Sequence, residues 1–261
     1  MTLINLTTLF GGTNPLQKIG SAPAIFRGGE KNAAVYGFGT VEQNNDKFST
    51  NPLKEKFKTK AEIELIAKSN PRIMAILKEH NIPLEVNISA LEKLEKGHLK
   101  DVRIIAAKIY SALPENLKSE VNLSDVQQAA MLHDYGKVLI PKKILDKEGK
   151  LTQEEKEIMD LHSELGYELL KNQGLNEEVL SLVKYHHQRP DGKGYPVIDD
   201  GFIFGISSQI VTAADKFSAL TEDRCYHKAC SKEEALGIIA QDVENGVISK
   251  EVFDALNKAV K

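Results

Sequence analysis

The amino-acid sequence predicts an all-α protein, a helical bundle preceded by a poorly structured N-terminal segment. Apolar residues recur at helical spacing over most of the chain after Thr59, helix-capping residues recur between these stretches, and strand patterns are almost absent. Residues 1–58 instead contain many glycines and asparagines and no sustained period, so we expect disorder or loose packing there. A short strand pair around Ala33–Val41 is the alternative for that segment.

Local signals place the helices in chain order. Pro71 suits the first turn of a helix. Thr152 with Glu155, and Ser231 with Glu234, form capping boxes, in which each side chain bonds a backbone N–H of the other residue. The predicted helices are Lys60–Ser69, Pro71–His80, Leu91–Leu113, one opening at Ser124, one running from Thr152 to a stop at Gly174, one opening at Asn176, about Ile206–Leu220, one opening at Ser231 and one opening at Ser249.

A shift in composition near residue 60 divides the chain into three regions. Residues 1–58 form the low-order segment, residues 59–94 form additional helices that pack on or lead into the core, and residues 95–261 form the main helical domain. With 261 residues, of which 41% are hydrophobic, the chain is long enough to bury a substantial core.

Charge, hydropathy and cysteine content exclude several classes of protein. The formal net charge of −3 leaves no basic field to bind a nucleic acid polymer. No apolar run approaches the roughly 18–20 residues of a membrane-spanning helix, so we expect no membrane insertion. Cys225 and Cys230 cannot form a disulfide framework, and the N-terminal residues lack the features of a secretory signal. We therefore expect a reduced, cytoplasmic globular protein.

Histidines occupy positions in the predicted helices where apolar residues are expected. Five of the seven histidines extend core-facing stripes: His98, His133, His162, His186 and His187. Burying an imidazole without a partner costs roughly 1–3 kcal/mol, so each ring needs a hydrogen bond or a metal ion. A single such histidine is most simply a hydrogen-bonded core residue, but five on consecutive helices indicate a metal cluster inside the bundle.

Two aspartates complete the candidate ligand set. Asp134 directly follows His133, and Asp215 lies in the mostly small and apolar run 211–217, where an unpaired carboxylate is avoided. A helix cap or a buried ion pair is the alternative role for Asp215. Imidazoles and carboxylates without thiolates favour iron or manganese, although they also bind zinc. Seven ligands exceed the needs of one ion with an open position, so the count predicts two divalent metal ions, an arrangement suited to displacement at phosphorus.

The order of these residues resembles that of the HD phosphohydrolase superfamily, in which a histidine is followed by an HD pair and a later aspartate. The segments that carry the resemblance are His98; His133–Lys137, similar to the HDxGK signature; His162–Gly166, similar to the HxExG element of one branch; His186–Pro196, similar to the HHxRxDGxGYP motif that names that branch, the HD-GYP domain; and Asp215. The resemblance covers roughly residues 95–261 and implies a helical bundle of the HD-domain type.

The resemblance implies a phosphodiesterase that hydrolyses the second messenger cyclic di-GMP to pGpG, to GMP or to both, with a metal-activated water. It implies that the metal ligands are His98, His133, Asp134, His162, His186, His187 and Asp215. It also implies catalytic roles for Lys137, beside the scissile phosphate, and for Asp134. The candidate substrate-binding residues are Arg189, Gly194, Tyr195, Pro196, Arg224 and Lys228. The Gly194–Pro196 loop is further expected to flank the site and to contact a protein partner.

Several of these residues have simpler alternative roles, and the sequence departs from the family pattern. Lys137 lies where a lysine stabilises the end of a helix, and Asp191-Gly192 with Gly194 is typical of a tight turn with positive φ angles. His227 occupies a position where a basic residue resembles a phosphate contact, and a neutral imidazole binds an anion more weakly. Lys228 is the adjacent substitute.

Other departures and functions stay open at this point. Ser218 stands where an aspartate is common. Leu94 stands where some relatives have a glutamate that supports a third metal, so two ions are preferred over three. The alternative functions are a phosphohydrolase acting on another nucleotide and a catalytically weak module that binds cyclic dinucleotides or acts as a scaffold. The complete set of candidate ligands argues against the second alternative.

Overall fold

The structure is a computed structural model that describes residues 59–222 and 228–261. Within these ranges the regular structure is helical and contains no β-strand, so the predicted all-α class is confirmed. None of the described helices combines the length and apolar character needed to cross a membrane. Some predictions concern residues outside the described ones: the low order of residues 1–58, the strand pair around Ala33–Val41, and the roles of Arg224, Cys225 and His227.

The described elements follow one another with short connections. In chain order they are α1 (Lys60–Ser69), α2 (Pro71–Glu79), α3 (Ile88–Lys96), α4 (His98–Ala112), α5 (Glu115–Lys118), α6 (Leu123–Leu132), a 3₁₀ turn (Tyr135–Leu139), α7 (Lys142–Leu145), α8 (Gln153–Asp160), α9 (His162–Leu170), α10 (Glu177–Tyr185), α11 (Ile206–Thr221), α12 (Lys232–Glu244) and α13 (Lys250–Val260).

Side-chain caps fix where several helices begin. Four predicted N-caps are formed, the first two as capping boxes: Thr152, Ser231, Asn176 and Ser249. The predicted cap at Ser124 is wrong, because the side chain of Asn122 accepts the Ser124 backbone N–H at 3.0 Å and α6 starts one residue before Ser124. Asparagine caps a helix at least as well as serine does, so the earlier residue takes the role.

Two helices that the sequence predicts to be continuous are broken. The expected helix over Leu91–Leu113 divides at Gly97, whose backbone lies outside the helical region with φ −119° and ψ −99°. The helix expected to continue from Thr152 to Gly174 divides at Leu161 instead. Each break makes a histidine, His98 or His162, the first residue of a new helix. The breaks therefore bear directly on the candidate site.

Helix α4 lies at the centre of the core and packs against α6, α11 and α13. Its inward side chains, including Val102, Ala106 and Ile109, are fully buried. Full burial of a side chain of the size of valine or isoleucine contributes about 1.5–3 kcal/mol. Because α4 begins at His98 and α11 carries Asp215, this packing also brings two of the candidate ligands together.

Helices α1 and α2 are tied to α9 by polar contacts. The Arg72 guanidinium lies 2.7 Å from a carboxylate oxygen of Glu164, and the buried Asn70 side chain donates to the Glu168 carboxylate at 2.8 Å. Asn70 also caps α2. These contacts connect the region of residues 59–94 to the rest of the bundle, while the boundary at residue 95 stays a prediction.

A close approach of two backbone segments joins the 3₁₀ turn to α9. A β-carbon built on Gly136 would overlap the carbonyl oxygen of His162 and the backbone nitrogen of Gly166. Backbone atoms cannot move aside as a flexible side chain can, so only glycine fits at residue 136. The contact places the segment His133-Asp134 beside the first turn of α9.

We expect Gly136→Ala to lower the free energy of unfolding by about 3 kcal/mol, because the added methyl group has no room in this backbone contact. Chemical denaturation followed by circular dichroism measures the change. Gly237→Ala is the matched control, since a β-carbon at this helical position of α12 meets nothing within 4 Å. The control substitution should raise stability by about 0.5–1 kcal/mol. Equal stability of the two variants would contradict the prediction.

Candidate metal centre

The structure brings all seven candidate metal ligands into one cluster. They form three overlapping groups, and within each group one ligand atom of every residue lies within 4.8 Å of the others. The groups are His98, His133 and Asp215; His133, Asp134 and His186; and His162, His186 and His187. Because neighbouring groups share a histidine, the seven side chains form a continuous set that could hold metal ions.

Four of the five histidines lie at helix ends, and His187 directly follows one of them. His98 and His162 are the first residues of α4 and α9, while His133 and His186 are the C-caps of α6 and α10. The expected position of these histidines on continuous helical stripes is therefore not what the structure shows. Helix ends leave backbone carbonyl groups without intrahelical partners, and the cluster uses this property.

Three of the imidazoles are each oriented by a backbone carbonyl group in the last turn of the helix that precedes the histidine or ends at it. The Nδ1 atoms of His133, His162 and His186 lie 2.9, 2.7 and 2.8 Å from the carbonyl oxygens three residues earlier. A ring nitrogen that contacts a carbonyl must donate a proton, so the neutral ring carries its hydrogen on Nδ1. Nε2 then presents a free lone pair towards the cluster, which is the form that binds a metal ion.

Two features of the cluster are difficult to satisfy without a cation. The Nε2 atom of the fully buried His133 makes no hydrogen bond. The Nε2 atoms of His162 and His186 lie 3.2 Å apart, although both rings already donate from Nδ1. Two lone pairs at this distance repel each other, whereas two nitrogens each about 2.1 Å from one metal ion can lie this close. The residues present therefore fit a bound metal.

Asp134 lies between the groups of imidazoles. Its Oδ1 is 3.3 Å from His162 Nε2, and its Oδ2 is 3.5 Å from His133 Nε2 and 2.6 Å from Lys137 Nζ. Burial raises the pKa of this carboxyl, but the charge of Lys137 and the neighbouring histidines outweigh it and hold the pKa well below its usual range. Asp134 is therefore ionised, as a metal ligand must be.

Asp215 faces the other side of the cluster from α11. Its Oδ1 lies 3.0 Å from His98 Nε2 and 3.7 Å from His133 Nε2. Burial raises the pKa of Asp215, but its close contacts with His133 and His98 lower the pKa well below its usual range. The alternative role as a helix cap does not apply, because Asp215 lies within α11.

Residue Ser218 contributes to the site although the sequence analysis treated it only as a departure. Its hydroxyl oxygen lies 3.0 Å from His98 Nδ1, so Nδ1 and Nε2 of this ring are directed to Ser218 and Asp215 respectively. Glu222 Oε2 also approaches His98 Nδ1 at 3.7 Å. The position of Ser218 three residues after Asp215, on the same helical face, is the signal that could have identified it.

Burial keeps several rings neutral. It holds the pKa of His162 at about 3, lowers that of His186 well below its usual range, and lowers that of His187. Burial also lowers the pKa of His133, but the negative charges of Asp134 and Asp215 outweigh it, and the pKa is raised. A neutral ring is required for ligation, so burial favours metal binding by three of these histidines.

A cleft of 810 Å³ adjoins the cluster. Metal-ligand candidates His162 and His187 line it, together with Lys137 and Tyr195. The Lys137 side chain is 18% exposed, and its ammonium group both reaches the cleft and donates a hydrogen bond to Asp134. A volume of this size lies within the range of small-molecule sites, about 300–1,000 Å³.

The loop after His187 is folded back on the helix that precedes it. Gly192 has the predicted positive φ, 70°. Gly194 is needed for a different reason, since a β-carbon there would overlap the backbone of His187 and Gln188. The Tyr195 ring lies against the His187 ring with 4.7 Å between centroids. The loop therefore supports a candidate metal ligand directly.

Gln188 holds this loop in place and was missed by the sequence analysis. Its side chain is 1% exposed. Its Oε1 accepts the backbone N–H groups of Arg189 and Gly194, each at 2.9 Å, and its Nε2 donates to the Pro196 carbonyl at 2.8 Å. No pattern in the sequence distinguishes this glutamine from an exposed loop residue.

The remaining substrate-binding candidates either do not line the cleft or lie outside the described residues. The Arg189 guanidinium lies 3.1 Å from Asp191 and is not among the described residues that line the cleft. Lys228 is exposed. Gly194 and Pro196 belong to the loop that Gln188 holds, and Arg224 is not described.

A family comparison agrees with the geometry of the site. A protein-family model described as an HD domain matches residues 64–251, and the chain therefore belongs to the HD domain family. The resemblance found in the sequence is thereby confirmed.

Individual relatives include three phosphodiesterases. The chain is 40% identical over 123 residues to the cyclic di-GMP phosphodiesterase response regulator RpfG of Xanthomonas campestris, a match that covers 46% of this chain and 32% of that protein. It is 40% identical over 147 residues to a cyclic di-GMP phosphodiesterase of Thermotoga maritima, covering 55% and 39%. It is 33% identical over 135 residues to the 3'3'-cGAMP-specific phosphodiesterase 3 of Vibrio cholerae, covering 52% and 29%. The matches thus span less than two fifths of each relative.

We expect the double substitution His133→Ala, Asp134→Ala to abolish metal binding, because these residues contact both ends of the cluster. The protein would be loaded with Mn²⁺, and bound metal would be measured by inductively coupled plasma mass spectrometry. Far-ultraviolet circular dichroism should still report a helical protein. His80→Ala is the control, since His80 caps α2 outside the cluster. Unchanged metal content in the double variant would show that the cluster is not the metal site.

We expect Gln188→Leu to loosen the loop, because two backbone N–H groups lose their acceptor. Trypsin should then cleave after the exposed Lys193 faster than in the wild type, as identified by mass spectrometry of the fragments. Gln188→Glu keeps an oxygen that accepts from both N–H groups and loses only the donor to the Pro196 carbonyl, so its rate should lie between those of Gln188→Leu and the wild type. Identical cleavage rates in all three proteins would show that Gln188 does not hold the loop.

Proposed function

We propose that this chain is a metal-dependent phosphodiesterase that hydrolyses cyclic di-GMP to pGpG, to GMP or to both. The observation that carries the proposal is the cluster of seven imidazoles and carboxylates beside a cleft lined by lysines. Imidazoles and carboxylates suit divalent metal ions, and lysines suit a phosphate-bearing ligand. Similarity to two relatives named cyclic di-GMP phosphodiesterases supports the choice of substrate.

We propose two divalent ions, iron or manganese, held by the seven ligands. His98, His133 and Asp215 would hold one ion, and His162, His186 and His187 would hold the other. Asp134 would serve both, since its two oxygens approach histidines of both sets. When bound, such ions supply Lewis-acid charge at the phosphate and lower the pKa of a water towards neutrality, which provides the nucleophile.

Lys137 is the proposed catalytic residue beside the ligands. Its ammonium group bonds Asp134 Oδ2 at 2.6 Å and lines the cleft. A fixed cation at this boundary offsets the negative charge that builds up on the phosphate during attack. The same group can donate a proton to the departing sugar oxygen. Asp134 in turn orients the lysine by accepting its hydrogen bond.

Further parts of the proposal concern binding and location. Tyr195 lines the cleft, and Gly194 and Pro196 flank it in the chain, so we retain these three as substrate-binding residues with Arg189, Arg224 and Lys228. The loop after Pro196 exposes Val197 and Ile203, each 83% accessible, which supports a protein partner at this loop. Hydrolysis of an intracellular messenger would place the chain in the cytoplasm.

A second candidate function is hydrolysis of another cyclic dinucleotide. Similarity to a relative named a 3'3'-cGAMP-specific phosphodiesterase favours 3'3'-cGAMP as the alternative substrate. The two substrates differ in one base, so the same metal centre would serve both.

The test is an assay of the purified chain with Mn²⁺ or with Fe²⁺ under anaerobic conditions. Cyclic di-GMP should be converted to pGpG or GMP, as separated by chromatography. Cleavage of 3'3'-cGAMP alone would favour the second candidate, and binding without cleavage of either would favour a scaffold module. Cleavage only of other nucleotides would remove cyclic dinucleotides from the proposal.

We expect Lys137→Met to lower kcat at least about a hundredfold, because the transition state loses a fixed cation and a proton donor. Steady-state kinetics with cyclic di-GMP measures the loss. Lys137→Arg should retain part of the activity, since it keeps the charge. Metal content measured in parallel should stay close to wild type, because Lys137 is not a ligand. A kcat within twofold of wild type would exclude the catalytic role.

A further inference from the structure

The cleft beside the metal centre has an unusual distribution of charge. Five lysines line it, and none of the described residues that line it is acidic: Lys137, Lys147, Lys150, Lys156 and Lys216. They come from the 3₁₀ turn, the segment between α7 and α8, α8 and α11. The positive charge is therefore contributed by four separate parts of the chain and is not the solvated face of one helix.

Most of these lysines already have carboxylate partners outside the lining of the cleft. Lys137 pairs with Asp134, Lys147 with Glu155, Lys156 with Asp160 and Lys216 with Asp242. Lys150 is exposed, and within residues 59–222 and 228–261 it takes part in no ion pair. Its charge is therefore available to a ligand without the cost of breaking an existing contact.

Apolar residues on either side of Lys147 and Lys150 in the chain also line the cleft. Ile144, Leu145 and Leu151 line the same cleft beside the two lysines. Cations next to apolar side chains suit a ligand that joins phosphate groups to flat aromatic bases. A cyclic dinucleotide has this chemistry, with two phosphodiesters on one ring.

The two phosphodiesters of such a ligand need different partners. One must reach the metal ligands, where Lys137 provides the nearby positive charge. The second then lies elsewhere in the cleft and needs a cation of its own. The segment between α7 and α8 carries two cations that line the cleft, Lys147 and Lys150.

We propose that Lys147 and Lys150 form a subsite for the second phosphodiester of a cyclic dinucleotide, separate from the phosphodiester bound at the metal centre. This inference rests on the proposed function and adds specificity to it. The subsite selects ligands with two phosphates, because a diester with one phosphate is held at the metal centre alone.

The test compares two substrates in one variant. Lys147→Met, Lys150→Met removes both charges and keeps side chains of similar length. KM for cyclic di-GMP should rise at least about tenfold, the size expected when charge-assisted hydrogen bonds to a phosphate are lost. KM for bis(4-nitrophenyl) phosphate, which has one phosphate, should stay close to its wild-type value. Lys147→Arg, Lys150→Arg should restore KM for cyclic di-GMP to near the wild-type value.

The matched control is Lys142→Met, Lys143→Met, which removes two exposed lysines of α7 that do not line the cleft. It should leave the ratio of the two KM values at the wild-type level. Thermal unfolding and metal content are measured for every variant. If the double methionine variant does not fold, Lys150→Met alone is used, since Lys150 breaks no ion pair of the described residues.

The possible failures are distinguishable. A KM for cyclic di-GMP within twofold of wild type would overturn the subsite and leave the proposed function standing. Equal rises for both substrates, or the same rise in the control, would also overturn the subsite. A wild-type chain that cleaves bis(4-nitrophenyl) phosphate but no cyclic dinucleotide would overturn the proposed function, and the subsite with it.

Discussion

The candidate metal centre depends on hydrogen bonds between three imidazoles and the carbonyl groups of helix ends. The Nδ1 atom of each of these residues donates a hydrogen bond to the carbonyl oxygen three residues earlier in the chain; the residues are His133, His162 and His186. A carbonyl in the last turn of a helix has no intrahelical partner, so the end of each helix supplies an acceptor at a fixed position. One contact sets both the tautomer and the direction of the ring. The helix ends therefore have to converge for the cluster to form.

Residues without reactive side chains make this convergence possible. Gly136 lets the segment that carries His133 and Asp134 touch the backbone at the start of α9, and Gly194 lets the following loop touch the end of α10. Gln188 then fixes that loop through three hydrogen bonds. The short sequence motifs of this chain thus combine ligands with the small or amide residues that bring the ligands together.

Much of the fold and of the candidate site could be predicted from sequence, because the signals are local. Capping residues such as Thr152 mark helix starts, and histidines in apolar stripes mark buried polar positions. The helix breaks at Gly97 and Leu161 were missed, since an apolar stripe continues across both of them. Ser218 and Gln188 were missed because their partners are distant in sequence or belong to the backbone.

The polar contacts of α2 with α9 have a mechanical consequence. Arg72 forms an ion pair with Glu164, and Asn70 donates a hydrogen bond to Glu168 on the next turn of α9. Helix α9 has nine residues and begins with His162. Because His162 is the first residue of this short helix, contacts made along α9 also restrain the backbone that carries the imidazole. The first two described helices therefore support the backbone at one edge of the metal centre, although neither of them contributes a ligand.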